Sequence, residues 1–159
     1  MLERQGLIHM AIAESEVIYE SDSVEETEKL GAKLAPTAAE FGFVALFGGL
    51  GAGKTAFVRG LASVIANGAQ VSSPTYAIVN EYAPADSLVP TLFHFDMYRI
   101  TDEDGLASID FDGYFERHGV IVTEWSENIT FALPEHYLKV EILHDGDKSR
   151  KIVVSECRG

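Results

Sequence analysis

Phe43-Val44-Ala45-Leu46-Phe47-Gly48-Gly49-Leu50-Gly51-Ala52-Gly53-Lys54-Thr55 is an apolar run that gives way to glycines, a lysine and a threonine. A short continuous apolar run ending in glycine is the pattern of a strand buried on both faces of a parallel sheet. From Gly48 to Thr55 the residues satisfy G-x-x-x-x-G-K-[ST] at every fixed position. The next stretch, from about 53 to 66, carries Phe57, Leu61 and Val64 or Ile65 at helical spacing, and Asn67-Gly68 would end it. A strand before and a helix after are the context this motif requires.

The chemistry explains the residue types. Glycines let successive backbone N–H groups turn toward one anion, and the helix N-terminus adds partial positive charge. Lys54 would neutralise β- and γ-phosphates as a point charge, and the short Thr55 hydroxyl suits a magnesium shell. The nucleotide-binding set is then Gly49, Leu50, Gly51, Ala52, Gly53, Lys54, Thr55 and Ala56, with ATP and Mg2+ as the cofactors expected. A dinucleotide-binding turn fits worse: that fingerprint lacks the lysine and wants an acid about 20 residues on. Residues 71–75 hold none.

Outward from this motif, the chain reads as one α/β domain. Ser23-x-x-Glu26 is a capping box ahead of a helix over 24–34, with Val24, Thr27, Leu30, Gly31 and Leu34 at helical spacing. Strands are predicted at 76–82 and 91–97, the second with Phe93, Phe95 and Met97 on one face and His94, Asp96 and Tyr98 on the other. A weak helical stretch spans 102–115, and Val120-Ile121-Val122 reads as a buried strand leading into Glu124 and Trp125. Terminal strands over 137–143 and 151–155 flank the turn His144-Asp145-Gly146-Asp147. The fold class is a P-loop NTPase-like, mixed, mainly parallel sheet flanked by helices, with residues 1–15 as an N-terminal extension and 16–159 as the domain.

Composition narrows the function. Twelve basic and 25 acidic side chains give a formal charge of −13, which repels a phosphate backbone over most of the surface and disfavours direct nucleic-acid binding. Cys157 is the single cysteine, so no internal disulfide and no cysteine-based zinc site can form. The 13-residue uncharged run 41–53 is shorter than the about 20 residues of a spanning helix. The N-terminus lacks the pattern of a secretory signal.

Hydrolysis needs a second magnesium anchor and a group that positions water. The helix after Thr55 would carry the chain about 18 Å away, and the nine residues 67–75 can span at most about 30 Å on return, so Thr75 can reach the γ-phosphate. Asp96 and Glu124 each close a predicted strand, where a magnesium acid is expected. Glu124 is assigned to magnesium and Asp96 to the attacking water, with the roles exchangeable. Trp125 adjoins that acid and either shields the site, meets a partner or packs in the core. Arg99 and Arg150 fit phosphate contact or surface salt bridges, and His94 most simply packs or orients its strand.

Together Leu50-Gly51-Ala52-Gly53-Lys54-Thr55, Ser73-Pro74-Thr75-Tyr76, His94-Phe95-Asp96-Met97-Tyr98-Arg99 and Glu124-Trp125 go beyond a generic motif. In this order, over about residues 20–155, the chain resembles the TsaE (YjeE) family, the small ATPase of bacterial tRNA threonylcarbamoyladenosine synthesis. The resemblance implies a cytoplasmic ATPase, weak alone, that docks on a TsaB/TsaD-like heterodimer and resets it between cycles, with tRNA held by the partners. It implies magnesium positions at Thr55 and Glu124, hydrolysis-linked positions at Asp96 and Thr75, an activity-linked position at Trp125, and a nucleotide-proximal basic residue at Arg150. Gly49 stands where the family usually has an acid, and Ser126 where it has proline. The alternative class, a small-molecule kinase, needs an arginine-bearing lid, and no arginine cluster is present. A GTP switch lacks its Asn-Lys-x-Asp element, and a binding module without turnover is the remaining rival.

Overall fold

Every residue of β2, Phe43–Phe47, is buried, because its two side-chain rows enter two different cores. Val44 and Leu46 join one cluster, and Phe43, Ala45 and Phe47 join the other. That is the physical origin of its continuous apolar pattern. The computed structural model describes residues 16–49, 53–67, 69, 71, 78–83 and 90–159. The extension 1–15, Leu50, Gly51 and Ala52, and the Ser73-Pro74-Thr75-Tyr76 segment lie outside the described residues.

The element order is β1 Val17–Ser21, α1 Val24–Phe41, β2, α2 Lys54–Ile65, β3 Val79–Tyr82, β4 Thr91–Asp96, α3 Glu103–Ser108, a 3-10 turn Phe111–Glu116, β5 Gly119–Glu124, a second 3-10 stretch Ser126–Ala132, β6 Tyr137–His144 and β7 Arg150–Cys157. Among the described residues the strands form one seven-stranded sheet in the order β1-β7-β6-β2-β5-β4-β3. The four central strands, β6, β2, β5 and β4, are mutually parallel, and both edges are antiparallel. The sheet is thus mixed, as expected, with its parallel part at the centre.

Helices α1 and α2 cover one face, packing on Val44, Leu46, Val122, Leu138 and Val140. The other face carries Phe93 and Phe95 from β4, and Met97 just after it, against Leu106 and Phe111, as the alternation in 91–97 predicts. The N-cap bond of the capping box forms, Glu26 N–H donating to Ser23 Oγ at 3.1 Å, while the reciprocal bond falls one residue earlier, Glu26 Oε1 accepting from Asp22 N–H at 2.7 Å. Helix α1 runs past the expected residue 34 to Phe41, even through Pro36. The alternative left open near the end of α2 is resolved, and one residue at helical spacing in α1 stays outside the core. Val24 is 56% exposed, one turn too early to reach the sheet, and Ile65 rather than Val64 packs inward, Val64 being 49% exposed.

β1 has no sequence signal of its own. Val17 and Ile18 are exposed and, among the described residues, the strand pairs only with β7, so neither alternation nor an apolar run marks it. Among the described residues no helix is long and apolar enough to cross a membrane.

Helices α1 and α2 touch backbone to backbone. A Cβ on Gly60 would collide with the Glu28 carbonyl oxygen, and one on Gly31 with the Phe57 carbonyl oxygen. Only glycine permits this approach, which sets where the first turn of α2 meets the sheet edge. Gly60→Ala should therefore lower stability by about 1–3 kcal/mol, read as a lower urea midpoint. An unchanged midpoint would show that the helices separate without cost.

Candidate functional site

The ends of β2, β5 and β4 lie side by side at the carboxyl edge of the parallel strands, the edge at which open α/β sheets bind ligands. Glu124 closes β5 and Asp96 closes β4, and the two are register partners across the pair. Gly48 and Gly49 follow β2. Gly53, in the left-handed region at φ 100°, introduces α2 without any side-chain cap. The N–H groups of the first turn of α2 therefore have no side-chain oxygen from the cap position.

Lys54 opens α2 and is only 6% exposed. Its Nζ donates to the Gly48 carbonyl at 2.5 Å and lies 4.1 Å from the centre of the Trp125 ring. Burial pulls its pKa below the ordinary lysine value, an effect that Glu124, Glu127 and Asp96 partly offset. Trp125 sits at φ 59°, an unusual conformation for a residue with a side chain. Its ring is half-buried and tilted against Tyr98 at 5.0 Å, so it packs beneath the lysine.

Asp96 is half-buried, and its Oδ1 accepts from Tyr98 N–H at 3.0 Å. Burial pushes its pKa above the usual carboxylate range, and the neighbouring Glu124 adds to the rise, while the Tyr98 N–H and Lys54 oppose it. Glu124 is buried, and its Oε2 lies 2.5 Å from His94 Nε2.

The structure thus brings Gly48, Gly49, Gly53, Lys54, Asp96, Glu124 and Trp125 to one edge. Thr55 follows half-buried in the first turn of α2, and Ala56 is buried behind it. Arg150 borders a cavity of about 350 Å3 with Gly53, Ala56, Ser23, Thr27 and Lys148, on the α1 side of the turn. Arg99 is exposed in the turn after β4. Thr75, Leu50, Gly51 and Ala52 are outside the described residues.

Of the two positions that looked atypical, only Ser126 has a local reason. A Cβ on Gly49 would meet nothing within 4 Å, so the turn does not require glycine there. Ser126 is buried, its Oγ 2.7 Å from Thr123 Oγ1 and donating to the Thr123 carbonyl at 2.9 Å, which ties down the turn after Glu124.

Three further contributors escaped the sequence reading. Glu127 Oε2 accepts from Gly48 N–H at 2.8 Å. Asn128 Nδ2 donates to the carbonyls of Met97 and Tyr98 at 2.9 and 3.1 Å, joining the turns after β4 and β5. His94, read as packing or orienting its strand, is fully buried beside Tyr82, and what the reading missed is its contact with Glu124. For Glu127 and Asn128 no spacing signal exists, since both act across long sequence separations. The even offset of His94 from Asp96 did place it on the acid's face.

The family model described as Threonylcarbamoyl adenosine biosynthesis protein TsaE matches residues 21–152. The chain is 38% identical over 128 residues to the tRNA threonylcarbamoyladenosine biosynthesis protein TsaE of Bacillus subtilis (strain 168), covering 80% of this chain and 78% of that protein. It is 31% identical over 150 residues to the protein of the same name from Nostoc sp. (strain PCC 7120), covering 92% and 89% respectively. The crystal structure of Bacillus subtilis YdiB superposes with a TM-score of 0.69 at 32% identity, over 89% of this chain and 86% of that one.

The Asp96 carboxyl makes a pH-dependent prediction. A carboxyl whose folded pKa is raised contributes stability below its unfolded value, about 3.9, and loses it as pH rises through the folded value. Ionised Asp96 therefore weakens the fold at neutral pH. Asp96→Asn should raise the urea midpoint at pH 7 and lose that advantage at pH 3. An equal effect at both pH values would contradict the direction of the shift.

Proposed function

This chain belongs to the TsaE family, and from that membership and the geometry at the carboxyl edge of the sheet we propose that it is a magnesium-dependent ATPase serving tRNA threonylcarbamoyladenosine synthesis. The observation that carries the reading is the buried Lys54 at an uncapped helix start, beside two strand-end carboxylates. An ammonium so placed is matched to an anion of several charges, and the glycine turn supplies backbone donors.

In this reading Lys54 leaves the Gly48 carbonyl for the β- and γ-phosphate oxygens, and Trp125 keeps its ammonium from swinging into solvent. The amides of the Gly49 to Ala56 stretch wrap the phosphate chain, and Arg150 approaches the nucleotide from the cavity it borders with Gly53 and Ala56.

The donor set suits magnesium: the Thr55 hydroxyl and the Glu124 carboxylate are hard oxygens. Among the described residues no group of three or more His, Cys, Asp or Glu could hold a metal. One or two protein oxygens are all that a phosphate-borne magnesium asks of the chain. When bound, that ion neutralises phosphate charge.

Asp96 then takes the proton of the attacking water while the bond from the γ-phosphorus to the β–γ bridging oxygen breaks, releasing ADP and inorganic phosphate. Its raised pKa makes it a better base than a solvated aspartate. Thr75 is assigned to the same step from its position in the returning loop. The chain acts in the cytoplasm on a TsaB/TsaD-like heterodimer. Its −13 charge is consistent with leaving tRNA contact to those partners.

Phosphate release measured alone, with small acceptors and with the heterodimer tests this directly. Stimulation by the heterodimer is expected, and phosphate transfer to an acceptor would overturn the reading in favour of a kinase. Lys54→Ala should weaken ATP binding by about 10–100-fold in calorimetry, and unchanged affinity would remove its role. Asp96→Asn should keep ATP binding and lower stimulated turnover by about 100–10,000-fold. Full turnover in that variant would dismiss Asp96 as the base.

A further inference from the structure

A buried histidine stands beside the proposed magnesium carboxylate, and nothing above uses it. None of His94's surface is exposed. Its Nε2 is 2.5 Å from Glu124 Oε2, whereas among the described residues its Nδ1 is buried without a hydrogen-bond partner. The Tyr82 ring lies next to it, with centroids 6.1 Å apart. Along the same face of β4 and β5, Asp96 and Glu124 lie toward the carboxyl edge, and on the other side Leu92, Val120 and Val122 are apolar core residues.

A leucine or phenylalanine would fill such a slot without burying a polar ring that leaves one nitrogen unsatisfied. The retained polar atom must therefore be sought in what Nε2 does. A proton on Nδ1 would be buried without an acceptor, so the proton belongs on Nε2, which donates to the carboxylate. That bond engages one Glu124 oxygen and restricts rotation of the carboxylate plane. Carboxylates that ligate metals are held in this manner by outer hydrogen-bond donors, whose loss weakens the metal without removing a ligand.

We infer that His94 is a positioning residue for Glu124: its Nε2–H holds one carboxylate oxygen so that the other is left for the magnesium of the nucleotide. The inference rests on the nucleotide reading given above. It predicts that the reach of the side-chain donor, rather than the filling of the slot, matters at this position.

Glutamine carries its amide nitrogen at the reach of Nε2, and asparagine stops at the reach of Nδ1. Full-length parent, His94→Gln and His94→Asn chains should bind a fluorescent ATP analogue alike in EDTA. When Mg2+ is titrated in, the midpoint should rise about 10–100-fold in His94→Asn and return toward the parent value in His94→Gln. Equal midpoints for the two amides would overturn the positioning role while leaving the nucleotide reading intact. Failure of the parent to bind the analogue would overturn the nucleotide reading and this inference with it.

The parent chain supplies a check that depends on no variant folding. Long-range 1H–15N spectra should place the His94 proton on Nε2, with its signals moving when Mg2+ is added to the ATP-loaded protein. A proton on Nδ1, or signals indifferent to Mg2+, would contradict the inference.

Discussion

Lys54 is a cation held almost wholly out of water, and the carboxyl edge of the sheet is organised around it. A buried ammonium is costly unless it is paired and hydrogen-bonded. Its partners here come from three strand ends. The Gly48 carbonyl follows β2, the Trp125 face and the Glu124 charge come from the end of β5, and the Asp96 charge comes from the end of β4. No one of these elements could hold the lysine alone. The parallel register of β2, β5 and β4 is therefore the condition for the site as well as for the core.

The supporting turns are fixed by devices that make little sense in a chain optimised only for stability. Trp125 occupies a left-handed conformation that costs about 1–3 kcal/mol. The Thr123–Ser126 hydroxyl pair and the bridge from Asn128 to the turn after β4 over-determine it. Burial disfavours the charged forms of both Asp96 and Lys54. The strained Trp125 turn, Asp96 and Lys54 meet at the carboxyl edge of the parallel strands, beside a sheet packed with aliphatic and aromatic side chains. Of these groups, the desolvated Lys54 is the one that a ligand of strong negative charge would pair.

Much of this was legible from residue order. The apolar run 43–47 between two cores, the alternation in 91–97 and the capping box at Ser23 each reflect a local rule, and each element appears where that rule places it. The strand-end positions of Asp96 and Glu124 followed from the same periodicities. What sequence could not give were contacts made across the fold. β1 is an exposed edge whose only partner among the described residues lies more than 120 residues away. The Gly48–Glu127 and Asn128–Met97 bonds join distant turns, and no spacing encodes them. His94 illustrates the boundary: periodicity places it on the face of the acid, but only the parallel register of β4 on β5 brings its ring to Glu124.

The most direct measurement is a crystal structure grown with magnesium and a non-hydrolysable ATP analogue. It should place the triphosphate at the start of α2, with Lys54 Nζ moved from the Gly48 carbonyl onto the phosphate oxygens and Glu124 facing the metal. A nucleotide bound elsewhere, with Lys54 still on Gly48 and against Trp125, would contradict the assignment of this edge as the ATP site.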